Sequence, residues 1–365
     1  MAFNRLGQRN STAALTTRAD EQALFRTIYL AEVVKAFQEN NVMSGLTQAR
    51  SISNGKSATF PTFWKTNAHY HTPGDDDLDG TNRVRHDEIV ITCDRVLMSD
   101  IKVAEIDELI NHFDVRGMYA EQMGNALAQA YDKQLMAMAY HATSTKYDRL
   151  TDAGDNKPAW VGNARETNGS TLSALTTPGQ LVDAIYQGLQ TLEEYDVPTD
   201  GLVCILKPQE YYILVNGGDN ASVALDRDYG GEGSIAAGVI PRVAGIPIIK
   251  SNNLPTTHLN SVAAKGAVIN GVELEEHGAN GTPAWDDGVP DLTPESGSTT
   301  SKYAVDARKF KGLILHPTCL GTVKLMDLKY EDEYLIQKQA TLMVAKMAVG
   351  HGVLREEACW ALKTS

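Results

Sequence analysis

From Asp20 to Gln38 the apolar residues Leu24, Ile28, Ala31, Val34 and Phe37 recur at three- and four-residue steps, the repeat of one helical face. Asp20 and Glu21 suit the positive end of such a helix. The spacing predicts an amphipathic helix, preceded by a segment with Arg5, Arg9 and Arg18, no acid before Asp20, and many Ser, Thr, Asn and Gln. That composition reads as a mobile basic arm.

Beyond Gly45 the period changes to strand-like stretches. Asn54-Gly55 marks a turn, a polar excursion runs from Asn67 to Arg85, and Glu88 to Met98 resumes a strand. The whole predicts a long two-stranded arm. A two-stranded hairpin has little core of its own and is marginal in water, so it requires another surface, for which a neighbouring subunit is the natural candidate.

Asp114 then precedes about 28 proline-free residues in which Val115, Met118, Met123, Leu127, Tyr131, Leu135, Met138 and Ala142 mark one face. At 1.5 Å per residue this helix is roughly 40 Å long, a spine for the subunit. Thr177-Pro178 opens a further helix with Leu181, Val182, Ile185, Leu189 and Leu192 inward. Short strands follow, among them Gly201 to Leu206 and Ile246 to Lys250, interrupted by surface loops at Gly217 to Gly238 and His277 to Lys302. Strand patterns return at Gly312 to Leu315, Gly321 to Leu325, Tyr334 to Met347 and Ala358 to Leu362. The fold class expected is α+β.

Composition narrows the function. With 42% hydrophobic and 22% charged residues, the chain has the mix of a folded globular protein. Its formal charge of −13 gives an average surface that repels phosphates, which argues against a sequence-reading DNA binder. No apolar run approaches the roughly 18 to 20 residues that cross a bilayer, and Met1 to Thr17 is too polar for a signal peptide, so synthesis in the cytosol is expected. Cys93, Cys204, Cys319 and Cys359 lie far apart without zinc-type spacing and read as buried thiols.

The chain's motif-like runs are each incomplete. Asn54-Gly55-Lys56-Ser57 ends like a phosphate-binding loop, but Arg50 stands where its first glycine belongs. Gly231-Glu232-Gly233-Ser234-Ile235-Ala236 fits a loose dinucleotide pattern, yet no buried strand precedes it. Asp75, Asp77, Asp79 and Gly80 match the opening of a calcium loop, but its twelfth position, normally a bidentate glutamate, is His86. A solvated acidic tip is the better reading, and the His69-Tyr70-His71 run beside it is read as incidental. No nucleophile elbow and no His-Glu-x-x-His occurs, so neither catalysis, cofactor nor metal is expected.

The order of arm, helix, long hairpin, spine helix, central region and returning strands resembles the Hong Kong 97-type capsid fold of tailed phages. Particular runs carry the resemblance: Ile52-Ser53-Asn54-Gly55-Lys56-Ser57-Ala58-Thr59-Phe60-Pro61, Asn111-His112-Phe113-Asp114-Val115-Arg116, Gly245-Ile246-Pro247-Ile248 and Ser251-Asn252-Asn253-Leu254-Pro255. Gly321-Thr322-Val323-Lys324-Leu325 and Met347-Ala348-Val349-Gly350-His351-Gly352-Val353-Leu354-Arg355 are similar to capsid proteins of autographivirus-type short-tailed phages (podoviruses). The insertion from His277 to Lys302 and the acids Asp75 to Asp77 match no family pattern.

The resemblance implies five segments: an N-terminal arm and helix (1–44), an extended β-hairpin loop (45–102), a peripheral domain with the spine helix (103–177), an axial domain (178–310) and C-terminal strands completing the peripheral domain (311–365). It implies a non-enzymatic major capsid protein, a homo-oligomer of pentamers and hexamers, assembled in the host cytoplasm and resident in the virion. Its expected partners are a scaffolding protein, a portal or connector, and packaged double-stranded DNA held without sequence-specific contacts; no membrane is involved. Leu24 and Phe37 are the expected scaffold contacts, and Asp75, Asp76, Asp77 and Asp79 the expected inter-subunit contact. Another self-assembling phage protein, a tail-tube or connector subunit, is the alternative.

Overall fold

The computed structural model describes residues 18–63, 86–93, 96–106, 115–143, 177–216, 242–255, 258–259, 268–269, 272–273, 303, 305–307 and 310–364. Four helices lie among them: α1 (Arg18–Asn40), α2 (Val115–Ala142), α3 (Pro178–Glu194) and α4 (Pro208–Asn216). The fifteen strands there are β1 (Gln48–Ser51), β2 (Ser57–Phe63), β3 (His86–Thr92), β4 (Leu97–Ala104), β5 (Val203–Leu206), β6 (Arg242–Val243), β7 (Ile246–Lys250), β8 (His258–Leu259), β9 (Val268–Ile269), β10 (Val272–Glu273), β11 (Val305–Asp306), β12 (Phe310–Leu315), β13 (Leu320–Leu335), β14 (Ala340–Val353) and β15 (Cys359–Lys363).

Two main sheets flank the spine helix α2. One is four-stranded in the order β1-β13-β14-β4, with β1 parallel to β13 and the other pairs antiparallel. The other is five-stranded in the order β15-β12-β5-β7-β6, with β5 and β7 parallel. The ribbon β2-β3 stands apart, in register from Ser57 opposite Thr92 to Phe63 opposite His86.

The first half of α2 is amphipathic, whereas residues 131–139 are buried on every side. Of the expected inner face, Met123, Leu127, Tyr131, Leu135, Met138 and Ala142 are buried, but Met118 is 64% exposed. Met118 lies near the start of the helix, before the sheets close around it. Tyr140 packs edge-on against Phe310 of the five-stranded sheet, with ring centroids 4.8 Å apart, and Tyr131 against His351 of the four-stranded sheet at 4.9 Å. One helix thus serves as core for both sheets.

Glycine sets the helix contacts. A Cβ at Gly124 would lie 2.6 Å from the Val33 carbonyl and 2.9 Å from Ala36 Cβ, so α1 crosses α2 at a distance only glycine permits. Gly188 does the same where α3 lies on Trp360 and Ile314. The N-terminus of α3 is capped as its sequence suggests: Thr177 and Gln180 form a reciprocal capping box ahead of Pro178.

Three expectations are corrected. Glu88 to Met98 is not one strand: β3 ends at Thr92 in the ribbon and β4 begins at Leu97 in the four-stranded sheet. Tyr334 to Met347 is broken by a turn at Ile336–Lys338, where Gln339 takes a left-handed φ of 44°, so the stretch holds the end of β13, a tight turn without Gly or Pro, and the start of β14. The region after Leu206 contains a helix as well as short strands, because Pro208 starts α4.

Candidate functional site

Chemistry needs converging polar groups, and those in this fold converge on structure. Asp132 sits fully buried in α2, and its carboxylate accepts hydrogen bonds from the backbone N–H of Val42 (3.0 Å) and Met43 (3.1 Å) and from Asn253 Nδ2 (3.0 Å). Burial pushes its pKa up, opposed by these three donors. The site joins three distant segments: the chain leaving α1, the spine helix and the loop after β7.

A second buried cluster holds the base of the arm. Ala58, Ile89, Ile91 and Cys93 pack with Val323 of β13, and the Cys93 N–H donates to the Lys56 carbonyl at 2.7 Å. The receiving sheet surface is glycine: added Cβ atoms would come within 2.7 Å of Ile91 at Gly321, 2.8 Å of Ile91 at Gly352 and 2.1 Å of the Thr92 carbonyl at Gly350. Arg50 donates to the Thr59 carbonyl at 2.6 Å and lies over the Phe60 ring. The ribbon therefore leaves the body from a fixed, dry seat.

Further polar side chains pack beside the five-stranded sheet. Glu210 pairs with Lys311 at 3.2 Å, and Lys250 lies over the rings of Tyr211 and Tyr212. All four cysteines are buried and free. Burial raises the Cys204 pKa to about 12, and the Cys319 thiol is raised well above its usual range by its hydrogen bond with Cys359, then by burial and nearby Glu357 and Glu356. Such thiols remain protonated and are poor nucleophiles or ligands. Among the described residues no three His, Cys, Asp or Glu side chains gather as a metal site, and no described helix is long and apolar enough to cross a membrane.

Asp75, Asp76, Asp77 and Asp79, with His69, His71 and the Gly231 to Ala236 run, lie outside the described residues, as does the side chain of Leu24. Phe37 is half-buried, edge-on to Tyr131 with centroids 5.7 Å apart. Gly55 turns with φ 98° and Ser57 then starts β2, so Asn54 to Ser57 leads into a strand and not into the helix a phosphate loop requires. Sequence reasoning missed Asp132, whose partners Val42, Met43 and Asn253 lie far from it along the chain. The role of Gly350 and Gly352 gave no signal until the arm was seated on them.

The family model described as "Gp10A-like: Major capsid protein" matches residues 59–363. The major capsid protein of Enterobacteria phage T3 is 32% identical over 353 residues, covering 94% of this chain and 92% of that protein. The major capsid protein of Escherichia phage T7 is 28% identical, covering 97% and 95%. The capsid structure of cyanophage P-SCSP1u superposes with a TM-score of 0.64 at 29% identity, covering 89% of this chain and 88% of that one. The fold is accordingly the Hong Kong 97-type α+β capsid fold, and the chain belongs to the Gp10A-like major capsid protein family.

Proposed function

We propose that this chain is the shell-forming subunit of an icosahedral phage head, assembling as pentamers and hexamers around double-stranded DNA. The family match across residues 59–363 carries the reading. A buried polar inventory spent on holding segments together, and a ribbon that protrudes from a fixed seat, support it. Closed shells require many moderate interfaces built from parts that have no fold alone. The net charge of −13 suits a container that does not adhere to its genome.

In this reading 1–44 is the arm and helix, 45–102 the extended loop, 103–177 the spine-helix part of the peripheral domain, 178–310 the axial domain and 311–365 the returning strands. The five-stranded sheet pairs β12 and β15 with β5, so it is shared across the last boundary. Assembly takes place in the host cytoplasm with a scaffolding protein that contacts Leu24 and Phe37, and with a portal at one vertex. The chain has no catalytic role. Sedimentation of the expressed chain tests the assembly: most of it should travel as shell-sized particles, and a product that stays monomeric with and without scaffolding protein would overturn the reading.

A further inference from the structure

Cys319 and Cys359 meet where three parts of the fold join. Cys319 lies immediately before β13 of the four-stranded sheet, and Cys359 is the first residue of β15, at the edge of the five-stranded sheet. The Cys359 Sγ also donates to the Ala139 carbonyl of α2 at 3.4 Å. All three residues are fully buried.

Backbone hydrogen bonds hold the two segments together independently of the thiols. The Cys319 carbonyl accepts from the N–H groups of Leu354 (2.8 Å) and Arg355 (3.2 Å), which lead toward β15. The His316 N–H donates to the Ala358 carbonyl at 3.0 Å, and the Cys319 N–H closes the turn on the His316 carbonyl at 2.9 Å. Leu315 stands opposite Cys359 in the register of β12 and β15. The turn 316–319 is thereby laid against the residues that precede and start β15, and the two thiols share a hydrogen bond. A disulfide requires such convergence, with Cα atoms within about 7 Å and sulfurs finally about 2.05 Å apart. A single buried Cys acts as a small hydrophobe, whereas two in contact can be oxidised to a bond.

We propose that Cys319 and Cys359 form a redox site, which a small-molecule disulfide converts into an intramolecular disulfide joining the two sheets beside the end of the spine helix. One thiol, deprotonated, attacks a sulfur of the small disulfide and releases its first thiolate; the neighbouring thiol then attacks the mixed disulfide and releases the second. Two protein thiols are oxidised, one small disulfide is reduced to two thiols, and the two protein protons pass to them. The Cys319 thiol is held protonated in the closed subunit, so exchange is slow and runs through local opening of this seam. The loop closed from 319 to 359 contains all of β13 and β14, and closing so long a loop restricts the unfolded chain most. The inference does not depend on the capsid reading. Within that reading the pair stays reduced in the cytoplasm and closes after the particle is released.

Peptide mapping after oxidation tests it. The full chain is incubated with oxidised glutathione some degrees below its melting temperature, remaining thiols are capped with iodoacetamide, and the unfolded chain is digested without reductant. Mass spectrometry should find the Cys319 and Cys359 peptides joined, two hydrogens lighter than their sum, as the main cross-link. The oxidised chain should melt about 4 °C or more above the reduced one, and reductant should reverse the shift. Cys319→Ala should lose both cross-link and shift, while Cys204→Ala keeps both. If a variant fails to fold, the map of the unsubstituted chain decides alone. Recovery of Cys319 and Cys359 as capped thiols or as separate glutathione adducts, or a link from either to Cys93 or Cys204, would overturn the site. A 319–359 link without any rise in melting temperature would overturn its role in joining the sheets.

Discussion

Asn253 donates its side-chain amide to the Asp132 carboxylate at 3.0 Å, joining residues 121 apart in the sequence through the centre of the spine helix. The same carboxylate caps the Val42 and Met43 N–H groups, so the departure of the chain from α1 toward the arm is set by one buried acid.

Asp132→Asn replaces one accepting oxygen by an amino group that must face a donor. Stability should fall by about 1–3 kcal/mol, the cost of leaving a buried polar group unsatisfied. The pH dependence has a definite sign. The folded pKa lies above its unfolded value, so the contribution of Asp132 is fully present below the unfolded value and is lost as pH rises through the folded one. The deficit of the asparagine variant should thus narrow as pH rises through and above the ordinary carboxylate range. Chemical denaturation across that range checks it, and a deficit that widens with pH would mean that the three donors outweigh burial.

Gly350→Ala would place a methyl group 2.1 Å from the Thr92 carbonyl, where backbone has to move. The expected cost is about 3 kcal/mol, at the upper end for overpacking, with earlier proteolysis in the arm. Gly179→Ala, in a helical turn with nothing within 4 Å, should instead stabilise by about 0.5–1 kcal/mol. Equal melting temperatures for the two variants would show that the arm is not seated as described.

Leu24→Asp and Phe37→Asp should both block correct shell formation when the scaffolding protein is present, since each puts a charge on the apolar face of α1. Phe37→Asp should also lower the melting temperature of the subunit, because Phe37 packs on Tyr131. Normal yields of normal shells from both variants, read by sedimentation, would remove the scaffold assignment.

The acids Asp75, Asp76, Asp77 and Asp79 repel one another, and pressing them against a neighbour requires cations opposite. An exposed pair contributes only about 0–1 kcal/mol, but a shell repeats it many times. Replacing all four by asparagine should lower shell stability and flatten its salt dependence, while chelators leave wild-type shells unchanged and boiling in detergent releases single chains. Stability matching wild type at every ionic strength, measured by light scattering, would dispose of this contact.

Three of the four helices were legible because their signals are local: the period of Leu24 to Phe37, Asp114 before α2 and Thr177-Pro178 at the start of α3 all lie within a few residues, whereas the short α4 was read as part of a strand region. Strand ends were less so, since Cys93 to Val96 and Ile336 to Gln339 change sheet or direction without a strong breaker. Asp132 lay beyond reach for a different reason. Its partners Val42, Met43 and Asn253 are brought to it only by tertiary packing, and a lone carboxylate on a helix reads from sequence as a solvated one. Gly350 is similar, for nothing in Gly350-His351-Gly352 states that the Thr92 carbonyl will arrive there.

Electron cryomicroscopy of particles formed by this chain with its scaffolding protein tests the central claim most directly. The account predicts closed icosahedral shells of pentamers and hexamers, with each β2–β3 ribbon lying on an adjacent subunit. Open tubes or single rings, or ribbons that touch no neighbour, would contradict it.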